Sequence, residues 1–149
     1  MTVIIEFTID KFTFRIATDR SYNDEGVWAK LEDGQIRIGI SDYLQQRSGD
    51  VAFTEVKPEG NVVKQGEEIA VIETIKVNIS IGSPVTGTVI EVNPAMKSSP
   101  EVINQDPYES GWLAMLEAKD WENDARYLLN AHTYFAKIKG EVEQEVKPE

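Results

Sequence analysis

A lysine between two strand-forming runs is the feature that most constrains the fold of this chain. Val and Ile recur in residues 66–72 before Lys76, and Ile recurs in residues 78–81 after it. Gly66 lies ten residues before the lysine, and Gly87 lies eleven residues after it. Two strands that meet at a turn, bracketed by glycines at which the chain reverses, place the lysine amine at the tip of a protruding hairpin. A primary amine presented in this way is a handle for covalent attachment.

Short strand-forming segments separated by Gly and Pro also recur through the rest of the chain. We predict strands at five further segments, 12–17, 27–31, 36–40, 51–56 and 112–117. Residues 67–72 and 88–92 each follow a glycine and are rich in Val and Ile, which indicates two quasi-equivalent halves joined by the lysine hairpin. Short strands at this spacing predict an antiparallel sandwich or barrel.

Local signals define the first turns and an internal helix. Asp33-Gly34 is a dipeptide favoured in two-residue hairpin turns, and it joins two of the predicted strands. The polar segment 19–26 before them is predicted to be a loop. Ser41 has a side-chain oxygen that can accept a free backbone N–H, so it predicts the N-cap of a short helix over about residues 42–47.

The pattern changes from strand to helix near residue 120. Asp120 is followed by acidic residues and predicts the N-cap of a helix. The apolar face of that helix is formed by residues that recur at helical spacing, Trp121, Ala125, Leu128 and Leu129. Asn130 predicts the N-cap of a second helix that carries Tyr134, Phe135 and Ile138. The charged segment 141–149 beyond Gly140 is predicted to fray.

A length of 149 residues fits one domain. We divide it into an N-terminal extension over 1–20, a β-sandwich core over 21–117, and a helical cap with a charged tail over 118–149. Five aromatic residues are predicted to pack inside the protein and not to contact a cofactor: Trp28, Phe53, Trp112, Trp121 and Tyr134. Four further residues are predicted to fix a turn that supports the sheet near Trp112: Asn104, Asp106, Pro107 and Tyr108.

The composition argues against several classes of function. A formal net charge of −11 opposes binding to the phosphate backbone of a nucleic acid. The absence of cysteine excludes disulfides, thiolate metal sites and cysteine nucleophiles. No apolar run is long enough to span a membrane, and residues 1–7 lack the basic leader of a signal peptide. We therefore expect a cytoplasmic protein that binds neither nucleic acid nor membrane.

No cluster of residues points to an active site of the chain's own. His132 is the one histidine of the sequence, and a lone histidine near the start of a helix is more typical of a surface or cap residue. Neither of two glycine-rich phosphate-binding motifs occurs, Gly-x-x-x-x-Gly-Lys-Ser/Thr or Gly-x-Gly-x-x-Gly. With one histidine and no cysteine, a zinc site would consist mostly of carboxylates, which zinc sites rarely do. We expect a chain that carries or binds a group, with no metal site.

The residues alone leave two interpretations of Lys76, an ordinary exposed turn lysine or a modification site. The turn lacks the Asn-Gly or Asp-Gly dipeptide favoured when a hairpin tip has only to be tight. Ile75 and Val77 flank the lysine. Exposing apolar side chains to water at a hairpin tip is unfavourable unless another protein contacts them. Both observations favour the modification site.

Several motifs together resemble the glycine cleavage H-protein family. Residues 66–77, which end in Glu-Thr-Ile-Lys-Val, resemble the family segment that ends in Glu-Ser-Val-Lys-Ala, and residues 83–93 are similar to its following strand. The most specific match is Asn-x-Asp-Pro-Tyr-x-x-Gly-Trp at residues 104–112. Residues 39–43 fit the family's helix. The resemblance extends from about Tyr22 to the last helix.

The resemblance implies a mainly β fold, a barrel-sandwich hybrid of the lipoyl/biotinyl type with a short internal helix and C-terminal helices. It implies that Lys76 bears lipoate through an amide bond, and that Glu73 helps a lipoate ligase or lipoyl transferase recognise the hairpin. In the family, the arm carries an aminomethyl group from glycine decarboxylase to aminomethyltransferase, and dihydrolipoyl dehydrogenase reoxidises it. The chain is then expected to be a non-catalytic carrier that acts as a monomer.

Departures from the family pattern leave other functions open. Gly26-Val27-Trp28 stands where the family usually has His-Glu-Trp. The missing histidine leaves open a second function, that of a lipoate-binding protein in heterodisulfide-reductase-like sulfur oxidation. In that system the arm holds sulfur intermediates for the heterodisulfide-reductase-like complex. A biotin carrier is disfavoured, because biotinyl lysines usually lie between methionines. The last alternative is an unmodified interaction module. The presence of both Glu73 and Lys76 argues against it.

Overall fold

The computed structural model describes residues 2–146. Eleven strands and five helices form this part of the chain, and every strand pairing in it is antiparallel. The elements are β1 Ile4–Ile9, β2 Phe12–Ala17, β3 Ser21–Tyr22, β4 Val27–Glu32, β5 Gln35–Ile40, α1 Asp42–Ser48, β6 Val51–Val56, β7 Val62–Val63, β8 Glu68–Thr74, β9 Asn78–Gly82, β10 Gly87–Val92, α2 Ala95–Ser98, α3 Val102–Gln105, β11 Ala114–Ala118, α4 Trp121–Ala125 and α5 Ala131–Val146. None of these helices is long and apolar enough to cross a membrane.

Two open sheets enclose one apolar core. The larger sheet has the strand order β3-β4-β5-β11-β10-β7, and the smaller has the order β6-β8-β9. Side chains of both sheets belong to the same buried cluster, with Ile36 and Ile38 from the larger sheet and Ile72 and Ile81 from the smaller. The predicted mainly β sandwich with a short internal helix and C-terminal helices is confirmed.

Local signals in the sequence predicted turns and helix starts correctly. Asp33 and Gly34 have φ angles of 49° and 81°, the left-handed conformation that a two-residue hairpin turn requires at both positions. Ser41 caps α1 by accepting a hydrogen bond from the Leu44 amide. Asp120 and Asn130 accept the corresponding bonds at the starts of α4 and α5. These three helices therefore begin where their capping residues predicted.

The N-terminal part holds more strand than the sequence predicted. Ile4–Ile9 forms β1, which pairs with β2 in a separate two-stranded sheet. The segment predicted as a polar loop contains β3, where the side chain of Tyr22 is fully buried. The Tyr22 hydroxyl donates to the carbonyl of Ala17, and its ring stacks on Tyr134 at 4.4 Å between centroids. This strand is too short for a period to be visible in the sequence.

The helices at the end of the chain differ from the prediction in length. α4 ends at Ala125, and Leu129 instead pairs with Tyr22 through two backbone hydrogen bonds. α5 continues through Gly140 to Val146, so the prediction that the chain frays beyond Gly140 is wrong for residues 141–146. Residues 147–149 lie outside the described part of the chain.

Contacts with α1 hold the last turns of α5. Val142 is buried, and the Glu141 carboxylate accepts hydrogen bonds from the Tyr43 hydroxyl at 3.0 Å and the Lys137 ammonium at 2.6 Å. Arg47 of α1 forms an ion pair with Glu145. A charged segment that lacks a clear apolar face in sequence is therefore ordered by its partners on another helix.

The aromatic residues divide into buried and exposed ones. Trp28 and Tyr134 are buried as predicted, whereas Trp112 and Trp121 are only partly buried. The prediction that Phe53 packs inside is wrong, since its side chain is 68% exposed. Phe53 lies on β6, an edge strand of the smaller sheet, and its register partner Glu73 is exposed too. That face of the smaller sheet is therefore not covered by the rest of the described chain.

The β1–β2 hairpin packs on α1 and α5 and also contacts Tyr22 of the larger sheet, without pairing with either sheet of the sandwich. Its aromatic rings contact α5 and α1, with Phe7 on Phe135 at 4.9 Å and Phe14 on Tyr43 at 5.4 Å between ring centroids. The Arg15 amide also donates to the carboxylate of Asp42 at 2.9 Å. The hairpin thus covers one side of α1 and of α5.

The two glycines that bracket the lysine have different roles. Gly66 has a φ angle of 91° and makes a turn, as the spacing predicted. Gly87 does not have a positive φ angle and begins β10, so its prediction as a reversal residue is wrong. A Cβ at Gly87 would lie 2.3 Å from the carbonyl oxygen of Glu117 on the neighbouring strand. Glycine is required there because two strands approach closely.

Replacing Gly87 with alanine is expected to lower the free energy of unfolding by about 1–3 kcal/mol, because the new methyl group must push β10 and β11 apart. Gly140→Ala is the matched control. A Cβ at Gly140 meets no atom within 4 Å, and the helical position should gain about 0.5–1 kcal/mol from the same change. Urea unfolding measures both, and equal effects at the two positions would contradict the close-approach explanation.

Candidate functional site

Lys76 lies at the tip of the hairpin formed by β8 and β9. Residues 75–77 connect the two strands, and all three side chains are exposed. Ile75 is 79% exposed and Val77 is 42% exposed, so the lysine stands between two apolar side chains that water surrounds. The sequence prediction that this lysine occupies a protruding hairpin tip is confirmed.

Thr74 closes the tip with its backbone and its side chain. Its amide donates to the carbonyl of Val77 at 2.8 Å. Its hydroxyl oxygen accepts from the amides of Val77 at 2.9 Å and Lys76 at 3.2 Å. The single hydroxyl proton has two carbonyl acceptors within reach, Ser48 at 2.7 Å and Val77 at 2.8 Å. One short polar side chain therefore fixes the backbone on both sides of the lysine.

The loop after α1 supports the hairpin tip. The Ile75 amide donates to the carbonyl of Asp50 at 3.1 Å. Gly49, with a φ angle of 93°, faces the lysine side chain, because a Cβ built on it would lie 3.5 Å from the Lys76 Cβ. The base of the lysine side chain therefore lies against the Gly49 backbone, and the rest of the side chain extends from a defined position.

Asn104 holds this loop in place. Its side-chain oxygen accepts from the Val51 amide at 2.9 Å, and its amide nitrogen donates to the carbonyl of Gly49 and to Gln45, each at 3.0 Å. The sequence predicted that Asn104 fixes a turn near Trp112, and for this residue the prediction is wrong. The side chain instead connects α3 to the segment on which the lysine hairpin rests.

The amine of Lys76 is turned toward α1. Its Nζ lies 3.4 Å from the carbonyl oxygen of Arg47, and Lys76 forms none of the salt bridges found among residues 2–146. A primary amine that is exposed and held by one weak hydrogen bond is available for acylation. Sequence reasoning placed the lysine but missed Thr74 and Arg47 as the groups that position it.

Glu73 lies on the same hairpin but faces away from the sandwich core. It is exposed on the outer face of the smaller sheet, where its register partners are Phe53 and Asn78. No hydrogen bond or ion pair between Glu73 and Lys76 occurs within the described range. Both predicted site residues are therefore accessible, one at the tip and one on the adjacent sheet face.

Charged groups near the lysine connect α1 to α5. The hydrogen bond from Lys137 lowers the pKa of Glu141 against the opposing effect of partial burial, and the Tyr43 hydroxyl lowers it further. Burial and the hydrogen bond to Glu141 raise the pKa of Tyr43 to about 12. The hydrogen bond to Glu145 raises the pKa of the Arg47 guanidinium. The Arg47 carbonyl accepts the hydrogen bond from the lysine amine, and the Arg47 side chain binds Glu145 of α5.

The structure leaves no room for a side chain at Gly26. Its φ angle is 95°, and a Cβ there would lie 2.7 Å from the Tyr134 hydroxyl and 3.0 Å from Ser41 Oγ. The two hydroxyls hydrogen-bond each other at 2.8 Å, and burial raises the pKa of Tyr134 so that it remains neutral. The position at which the resembling family usually has histidine is therefore closed by Tyr134 from α5.

Comparison with known proteins gives one consistent family. The model of the family described as glycine cleavage H-protein matches residues 20–141. Among curated proteins, the glycine cleavage system H protein of Alcanivorax borkumensis is 40% identical over 126 residues, which cover 85% of this chain and 98% of the relative. A glycine cleavage system H protein of Thermus thermophilus is 41% identical over 119 residues, 80% of this chain and 92% of the relative.

A solved structure agrees with the family match. The crystal structure of a glycine cleavage system H protein from Mycobacterium marinum superposes with a TM-score of 0.75 at 29% identity. The alignment covers 82% of this chain and 98% of that chain. The likeness in fold therefore extends over nearly the whole of the solved protein.

Thr74→Val is expected to loosen the hairpin tip, because valine keeps the shape of the side chain but has no oxygen for the Val77 amide or proton for the Ser48 carbonyl. We expect the free energy of unfolding to fall by about 1 kcal/mol and the Val77 amide to exchange faster with solvent. Thr74→Ser keeps the hydroxyl and is the control. Unchanged exchange at Val77 in the valine variant would contradict the role given to Thr74.

Proposed function

Because the chain belongs to the glycine cleavage H-protein family, we propose that it is a lipoyl carrier whose attachment residue is Lys76. The observation that carries the proposal is the position of this lysine, alone at an exposed hairpin tip whose backbone is fixed on both sides. A lipoylating enzyme must reach the amine from solvent, and only a rigid tip presents it in one orientation. The bound lipoyl group supplies a dithiolane that accepts and releases a covalently held intermediate, an aminomethyl group in glycine cleavage.

The chain's own residues would act by presentation. Thr74 and the Gly49 loop hold the base of the lysine, so that a flexible arm swings from a fixed point. Tethering of this kind raises the effective concentration of the carried group at each partner without tight binding. The reactions then belong to the partners, and the carrier has none of its own.

The partners follow from the proposed pathway. A lipoate ligase or lipoyl transferase would load Lys76, and glycine decarboxylase, aminomethyltransferase and dihydrolipoyl dehydrogenase would use the arm. The apolar side chains of Ile75 and Val77 are available for these proteins to contact. A cytoplasmic location and action as a monomer are part of the same proposal.

A second candidate differs in the carried intermediate. Lipoate-binding proteins of heterodisulfide-reductase-like sulfur oxidation use a similar arm for sulfur intermediates. The observation that keeps this candidate is Gly26, whose surroundings are closed by Tyr134 and leave no room for the histidine usual in glycine cleavage. A carrier without that histidine has no imidazole side chain at the start of the β4–β5 hairpin.

Intact mass and peptide mapping test the attachment. Protein produced with lipoate and a lipoate ligase is expected to gain one lipoyl group, confined to the peptide that contains Lys76. Lys76→Arg keeps the charge but is not acylated, so it should remain unmodified. A biotinyl adduct, or no adduct while a known H protein is lipoylated in parallel, would remove the proposal. With the adduct in place, loading by glycine decarboxylase distinguishes glycine cleavage from sulfur oxidation.

Glu73→Gln tests recognition by the lipoylating enzyme. We expect slower lipoylation, because the variant removes an exposed charge three residues from the acceptor lysine. Glu55→Gln is the matched control, since Glu55 is an exposed carboxylate on the same sheet. The readout is the fraction of lipoylated protein against time. Equal rates for the two variants would assign no specific role to Glu73.

A further inference from the structure

The β1–β2 hairpin has two edges, and its ladder shows which backbone groups point away from it. The Thr18 amide donates to the Val3 carbonyl at 2.9 Å. Hydrogen-bonded pairs then recur at every second register position, which includes Phe7 with Phe14. At the positions between them the amide and carbonyl groups point outward. These outward groups belong to Ile4, Glu6 and Thr8 on β1 and to Thr13, Arg15 and Ala17 on β2.

Side chains from the rest of the protein cap the outward edge of β2. The Arg15 amide donates to the Asp42 carboxylate at 2.9 Å, and the Arg15 carbonyl accepts from the Tyr108 hydroxyl at 2.6 Å. The Thr13 carbonyl accepts from the Gln46 side chain at 2.9 Å. These side chains occupy the positions that a neighbouring strand would take. The edge of β2 is therefore closed to another strand.

The outward edge of β1 has no such caps. In the part of the chain that the structure describes, no group binds the outward amides and carbonyls of Ile4, Glu6 and Thr8. The strand also lacks features that usually protect an edge, since its register has no bulge and its sequence has no proline. Its one charged residue, Glu6, is held by Arg15 on β2 at 3.2 Å. A regular, apolar edge with free backbone groups is the geometry to which an extended chain adds as a further strand.

The two faces of β1 define the side chains that an added strand would carry. Ile5, Phe7 and Ile9 lie on the face toward the helices and are only partly buried. Apolar residues at alternate positions of the added strand would cover them further. Glu6 lies on the opposite, exposed face, where a basic residue beside it would form a favourable cross-strand pair. The formal net charge of −11 also attracts a basic chain.

This edge lies close to the hairpin that carries Lys76. Phe12 and Phe14 of β2 line one cleft together with Lys76. Neighbouring strands are about 4.8 Å apart, so a strand added to β1 would lie about 10 Å from β2. Both strands of the hairpin precede residues 20–141, the part of the chain that matches the family model. Strand addition at β1 is therefore not a property that follows from the common fold.

We propose that the free edge of β1 is a docking site for an extended segment of a partner protein, in which apolar and basic residues alternate. The segment pairs with the backbone of Ile4, Glu6 and Thr8 as a third strand of the hairpin sheet. It holds the partner beside Lys76, and this use of the site rests on the proposed function, whereas the strand addition does not. A second copy of the chain also has a matching edge, but two chains of net charge −11 repel each other. The basic partner is assigned to the edge for this reason.

Hydrogen exchange followed by NMR tests the docking on the full chain without lipoate. In the free protein the amides of Ile4, Glu6 and Thr8 should exchange faster than those of Ile5 and Phe7, which belong to the ladder. The probe is a short acetylated peptide in which valine and lysine alternate. When the peptide occupies about 90% of the protein, exchange at the three outward amides should slow about tenfold, because only the unbound fraction exchanges.

Two altered peptides separate backbone pairing from charge. Methylation of every backbone nitrogen keeps the side chains and removes the hydrogen-bond donors, so it should weaken binding by about tenfold or more. Replacement of each lysine by glutamate keeps the backbone and reverses the charge, so it should weaken binding to this acidic chain as well. The same exchange measurement, made over a series of peptide concentrations, gives the affinity of each peptide.

Thr8→Pro blocks the edge and leaves the ladder intact, because the Thr8 amide points outward and proline is accepted at such positions of an edge strand. Thr8→Val is the matched control. Both variants lose the hydroxyl contact with Thr13 at 2.8 Å, but valine keeps the amide. We expect the proline variant to bind the lysine peptide about tenfold more weakly, and the valine variant to bind it as the unaltered protein does.

Protection of the Phe7 amide shows whether the hairpin persists in the proline variant. If that protection is lost, Ile4→Pro makes the same test at the other end of the edge, where the strand begins.

Each contrary result overturns the proposal. Unchanged exchange at the three outward amides, or equal binding by the methylated peptide or by the two Thr8 variants, excludes strand addition at β1. Equal binding by the glutamate peptide excludes a basic partner. Slower exchange at Ser80 alone places the peptide on β9, the edge strand of the smaller sheet. Slowing that grows with protein concentration in the absence of peptide assigns the edge to a second copy of the chain.

Discussion

The inward position of Ile72 determines how the lysine hairpin is presented. A sheet with one apolar face must bury that face against a second apolar surface. Ile72 and Ile81 supply the inner face of the smaller sheet and pack in one core with residues of the larger sheet. Because side chains alternate along a strand, placing Ile72 inside directs Glu73 outward and turns Thr74 back toward Ser48 at the end of α1. A slip of one residue would reverse all of these directions.

Much of the fold could be predicted because its signals are local. The Asp33-Gly34 turn and the caps at Ser41 and Asn130 each depend on a few adjacent residues, and all were correct. The errors arose where partners distant in sequence decide the structure. Tyr22 pairs with Trp28 of β4 and is also held by two backbone hydrogen bonds to the distant Leu129, and the last turns of α5 are helical because α1 binds them. No window of the sequence contains both partners.

The candidate site was predictable in the same uneven way. The pattern of strand, lysine and strand placed Lys76 at a tip, and the family motif gave the residue a role to test. The groups that position it could not be read from the pattern. Thr74 suggests a local turn, but its bond to Ser48 spans 26 residues, and the lysine amine reaches Arg47 across 29. These contacts exist only because the core brings α1 beside the β8–β9 hairpin.

The β1–β2 hairpin has its own ladder and joins neither large sheet. It meets the rest of the protein mainly through rings such as Phe7 on Phe135 and Phe14 on Tyr43. Its loss would therefore break no backbone pairing of the sandwich. In evolutionary terms, a hairpin of this kind is modular, since it can be added or removed while the β-sandwich stays intact. Lineages can thus alter the surroundings of α1 and α5 without altering the fold of the sandwich.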